Sequence, residues 1–190
     1  MTPMKLIPMR RDRRKDEVMQ GISRGETIPP LKLKGGEISL RSKVAGQIGV
    51  FAGLYTALVI VFHPISFMQV QCRVADMLSG IVPVFGWGAI LGLTLGVLIA
   101  NTTSPLGVLD LLSAIPSFVG YLIIWKLRNV SVLLGLTINA VIISVWVGFL
   151  LYLVLGLPFL VSALYVFIGM MIANTFGGYI IYKALNKLNP

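Results

Sequence analysis

Phe67-Met68-Gln69-Val70-Gln71-Cys72-Arg73-Val74-Ala75-Asp76 interrupts a sequence that is otherwise apolar almost without a break from Val44 onward. A charged side chain near the middle of a hydrocarbon layer costs roughly 2.5 to 3.5 kcal/mol on insertion scales, so ionisable residues inside an apolar run point to function. Arg73 and Asp76 stand at i and i+3, on one helical face, where they can neutralise each other. An ion pair closing a helix end accounts for those two residues. It leaves Gln69 and Gln71 without a role.

The surrounding composition sets the class. The 190 residues are 56% hydrophobic and 12% charged, with a net charge of +9. That charge is segregated: of sixteen Lys and Arg, eleven lie between Lys5 and Lys43, together with five of the seven acids. Residues 1–43 therefore read as a basic, partly disordered cytoplasmic tail resting on anionic lipid. A basic tail beside a membrane span signals orientation, and no nucleic-acid binding is expected. A single cysteine, Cys72, excludes an internal disulfide, and the lone His63 makes no metal site. The first apolar run starts too late for a cleaved signal peptide.

Residues 44–190 read as an all-α integral membrane domain, a six-transmembrane-helix bundle with spans at about 44–62, 72–85, 88–100, 108–127, 132–155 and 159–182. Two stripes of small residues recur every fourth position: Ala45, Gly49, Gly53 and Ala57 in the first span, and Gly88, Gly92, Gly96 and Ala100 in the third. Each makes a smooth face for close helix approach. The first stripe serves either packing within the bundle or docking of a separate membrane subunit. An alternating path with both termini cytoplasmic puts every remaining Lys and Arg except Arg73 inside, as the positive-inside rule requires. The same path gathers His63, Gln69, Gln71, Arg73, Asp76, Asn101 and Asp110 near the outer surface, under a loop at 65–71. Asn174, deeper in the last span, is either the floor of that site or an interhelical hydrogen bond.

Motifs for chemistry are missing. There is no Walker A, His-Glu-x-x-His or Gly-x-Ser-x-Gly pattern, so the chain reads as a non-enzyme with no cofactor. Asp76 and Asp110 could relay protons in a self-sufficient secondary carrier. A structural membrane subunit using its glycine stripes for assembly is a third reading.

Gln71-x-Arg73-x-x-Asp76, then Gly92-x-x-x-Gly96-x-x-x-Ala100-Asn101 and Gly107-x-x-Asp110, resembles the QueT family. Its members are substrate-binding (S) components of energy-coupling factor (ECF) transporters associated with queuosine precursors. The resemblance implies a six-helix protein that binds a 7-deazaguanine base from outside and docks on a transmembrane coupling subunit carrying two ATPases. The candidate substrate-site residues are Gln69, Gln71, Arg73, Asp76, Asn101, Asp110 and Asn174, with Arg73 better suited to holding the acid in place than to touching the ligand; of the docking stripe Ala45, Gly49, Gly53 and Ala57, the resemblance implies the contact at Gly53 and Ala57. Two positions depart from the pattern: Asp76 stands where the family has Glu, and Met170 where it has an acid. Loss of that acid suits a neutral 7-cyano base over a cationic aminomethyl one.

Overall fold

The computed structural model describes residues 35–62 and 73–188, with side chains from residue 42 onward. Most of the basic tail, the 65–71 loop, His63, Gln69, Gln71 and Cys72 lie outside the described residues. The chain divides into a unit ending at Ser39 and a unit of Leu40–Pro190; every contact below lies within the second.

Every described element is helical. In hydrocarbon no water is available to satisfy the backbone, and a helix satisfies it within one segment. The helices are α1 (Gly35–Val61), α2 (Val74–Phe85), α3 (Trp87–Thr103), α4 (Gly107–Leu127), α5 (Val132–Leu155) and α6 (Phe159–Leu188). Four are long and apolar enough to cross a membrane: α1 over Ser42–Val61, α4, α5 and α6; α2 and α3 are shorter apolar helices. The Gly35-Gly36 pair starts α1 rather than breaking the chain before Val44. Helix α5 opens on Ser131, whose hydroxyl accepts from the Leu134 N–H at 3.2 Å, and closes on left-handed Gly156.

Two departures from α-helical winding shape the interior. The first eight residues of α2, Val74–Ile81, form a 3-10 helix, long for a winding usually confined to three or four residues. Each residue rises about 2.0 Å instead of 1.5 Å, so this stretch covers roughly 16 Å where an α-helix would cover roughly 12 Å. Six of the eight are buried. Irregular backbone at membrane depth is tolerated where protein surrounds it. In α6 the segment Met171–Gly177 is π-helical.

Glycine lets α2 and α6 touch backbone to backbone, since a Cβ on Gly80 would collide with the Gly178 carbonyl. The α3 stripe turns inward onto α1: a Cβ on Gly92 would meet Phe51 Cβ at 2.9 Å, and one on Gly96 would meet Tyr55 Cβ at 2.7 Å. Thr56 adds a hydroxyl bond to the Gly96 carbonyl at 3.3 Å. The α1 stripe faces the other way. Ala45, Gly49, Gly53 and Ala57 are exposed, with open space beside Gly49 and Gly53. Large apolar side chains such as Val50, Leu54, Ile60, Leu160 and Ile180 cover the outside, where lipid tails rather than water are the natural solvent.

Candidate functional site

Over Val74–Ile81, α2 winds at three residues per turn, so residues three apart share an edge. Val74, Met77 and Gly80 form the edge toward α6, where Met77 lies against Gly177 and Gly80 against Gly178. Asp76 and Ser79, both buried, stand on a second edge. They open onto two different polar clusters.

The upper cluster is charged. Tyr55 of α1 donates its hydroxyl to Asp76 Oδ1 at 2.7 Å. Arg73, immediately before α2, donates from Nη2 to Asp110 Oδ2 at 3.2 Å. The backbone at Arg73 is extended (φ −75°, ψ 101°), and its side chain reaches across to α4 while still bordering the same cavity as Asp76. Asp110 is held further by the Ser113 hydroxyl, which donates to Oδ1 at 2.6 Å, while the Trp146 indole N–H donates to Ser113 Oγ at 2.9 Å. Asn101 ties the end of α3 to this point through its side-chain amide, bonded to the Asp110 carbonyl at 2.8 Å. Asn101 Oδ1 is buried and has no acceptor role among the described residues.

Arg73 and Asp76 form the polar end of a cavity of about 10 Å³, walled by Ile143, Val147, Val166 and Met170. That is room for about one water molecule. Arg73 and Asp76 thus border the same otherwise apolar cavity, and Met170 is part of its wall.

The lower cluster is neutral. Asn174 Oδ1 accepts from the Ser79 hydroxyl at 2.6 Å and from Asn139 Nδ2 at 3.1 Å, and Asn174 Nδ2 donates to the Leu136 carbonyl at 2.7 Å. The side chain of Asn174 is spent on joining α2, α5 and α6. Asn139 Oδ1 fills the space a Cβ would take on Gly120, so α4 and α5 close tightly there.

The structure therefore brings Arg73, Asp76, Asn101 and Asp110 together and sets Asn174 in a separate cluster. Tyr55, Ser113 and Trp146 were not singled out in the sequence. Ser113 had a signal, its i+3 spacing from Asp110. Tyr55 and Trp146 had none, because inside a span both count as apolar.

Among the described residues no group of His, Cys, Asp and Glu could hold a metal ion. The sequence model of a family described as QueT transporter matches residues 46–187, which include every described member of both clusters. No curated protein and no solved structure matches the chain.

Proposed function

Because the chain belongs to the QueT transporter family, and so is a multi-pass membrane transport protein rather than an enzyme, we propose that it is the substrate-binding subunit of an ATP-driven ECF importer for a 7-deazaguanine base. The observation that carries this reading is the pairing of Arg73 and Asp76 at the polar end of an otherwise apolar cavity. A guanine-like edge offers a carbonyl, a ring N–H and an amino group in a row. A carboxylate accepts from the two adjacent donors, and a guanidinium donates to the carbonyl; both bonds are charge-assisted. In this assignment Asp76 and Arg73 take the edge of the base. Asn101 Oδ1, without a partner among the described residues, Gln69 and Gln71 complete the polar contacts, and Asp110 holds Arg73 in place. Asn174 belongs to the frame of the site and not to its ligand contacts.

A base is far larger than one water, so binding must part the apolar walls on α5 and α6. Met170 on that wall brings no charge to the ligand's substituent and favours the neutral 7-cyano base over the cationic aminomethyl one. Competition titration checks this; tighter binding of the aminomethyl base would refute it.

The open stripe Ala45, Gly49, Gly53 and Ala57 is the docking face for a transmembrane coupling subunit bearing two ATPases. It suits that role because small side chains allow another helix to approach closely, while the α3 stripe is already occupied by α1. Six crossings, with α2 and α3 as the two short ones, put both termini in the cytoplasm.

Calorimetric titration of the purified protein with 7-cyano- and 7-aminomethyl-7-deazaguanine, beside Asp76→Asn, tests the substrate. Tight binding without ATP, lost in the variant, is the expected result. Failure of both bases to bind the folded protein would remove the 7-deazaguanine assignment. Uptake by proteoliposomes containing this chain alone would overturn the dependence on ATPases.

A further inference from the structure

The end of the bundle opposite the Arg73 cluster is cationic. Lys43, Lys126, Arg128, Lys183 and Lys187 cluster there, while the two acids with described side chains, Asp76 and Asp110, belong to the charged cluster. These positions share one end because Gln47 of α1 touches Gly88 at the start of α3, Gly86 touches Trp125 near the end of α4, and the end of α2 packs on the end of α6.

One corner of this end is built rather than merely charged. The Arg128 guanidinium stacks 4.4 Å from the centre of the Trp125 ring, and the Trp125 and Trp87 rings lie 5.9 Å apart. Gly86, with φ +56°, carries the turn between α2 and α3 across the indole, and a Cβ there would stand 3.1 Å from Trp125 Nε1. Trp125 Nε1–H has no acceptor among the described residues. The first backbone N–H groups of α3 begin at the same turn, where a helix leaves donors unsatisfied. A guanidinium, an indole and the start of α3 therefore meet at one turn of the fold.

We propose that the corner formed by Gly86, Trp87, Trp125 and Arg128 binds the phosphate of an anionic phospholipid. Tryptophan rings settle at the level of the lipid headgroups, and anionic lipid is the phosphate source present at that depth. The guanidinium geometry suits a phosphodiester, and the remaining cations raise the local concentration of anionic lipid. This assignment does not depend on the ligand carried by the transporter.

The full chain in neutral detergent should keep phosphatidylglycerol through native mass spectrometry, and its thermal midpoint should rise with that lipid and not with phosphatidylcholine. Arg128→Gln should weaken phosphatidylglycerol binding roughly fivefold, and Trp125→Phe, which keeps the ring and removes the donor, should weaken it to a smaller degree. Lys183→Gln, on a different corner with its amine 5.0 Å from the Tyr179 ring, should change it less than either. Equal effects of the two lipids, equal protection by soluble glycerol phosphate, or equal losses in Lys183→Gln and Arg128→Gln would each overturn the site. If Arg128→Gln does not fold, Trp125→Phe decides alone: unchanged binding overturns the proposal.

Discussion

The cluster of Ser79, Asn139 and Asn174 and the cluster of Tyr55, Arg73, Asp76 and Asp110 meet α2 on successive turns, yet the first is neutral whereas the second carries charge and lines a small cavity. In the first, both polar ends of the Asn174 amide have partners from other helices. Asn139 Oδ1 there is buried without a partner among the described residues and is packed against Gly120. In the second, Arg73 and Asp76 both line the cavity. Membrane helices tolerate neutral amides as glue at modest energy, whereas buried charge is retained where it does something. On the proposed function, the difference separates a joint from a receptor.

The largest effect expected on that contrast is structural. Arg73→Gln strands the Asp110 carboxylate in the bundle, and breaking a buried pair from one side costs about 3 to 5 kcal/mol. Thermal unfolding in detergent should register it as a large drop in midpoint; an unchanged midpoint would mean that the pair is not a stabilising contact. Next comes Asp76→Asn, which keeps the shape of the side chain. Loss of a charge-assisted contact of about 3 kcal/mol lowers 7-deazaguanine affinity roughly a hundredfold, with little change in unfolding.

Asn174→Ala should do the reverse. It removes interhelical bonds worth about 1 to 2 kcal/mol and leaves ligand affinity in place. An affinity loss as large as that of Asp76→Asn would merge the two clusters into one site. The smallest effect belongs to Tyr55→Phe. It frees Asp76 from its 2.7 Å bond, costing about 1 kcal/mol, and should weaken ligand binding severalfold by letting the carboxylate wander.

Much of this was legible in the sequence, for a physical reason: a charge in oil stands out. Arg73, Asp76 and Asp110 mark the candidate site by their solvation cost alone, and Asn101 follows from the path of the chain. The partnerships were not legible. Residue spacing puts Arg73 beside Asp76 and says nothing of its 3.2 Å bond to Asp110, 37 residues on, made from an extended backbone. Tyr55 was hidden because its ring counts toward the span and only its hydroxyl betrays the role. The two glycine stripes read alike, but one is filled by α1 and the other is open, and which way a helix turns is decided by its neighbours. No local feature of Val74–Ile81 announced three residues per turn.

That winding has a consequence for how the chain can vary. Over Val74–Ile81 helix α2 behaves as a triangular prism with flat sides, one edge carrying Val74, Met77 and Gly80 and another Asp76 and Ser79, with Met77, Gly80 and Ser79 all meeting α6. On an α-helix, inserting a residue turns everything beyond it by about 100°, which blurs one face into the next. On a prism the turn is about 120°, a full exchange of sides. A single residue added after Arg73 would set Ala75 where Asp76 stands and drive a side chain into the place of Gly80. Point changes along α2 can be graded; a shift in its length by one residue rewrites both clusters in one stroke.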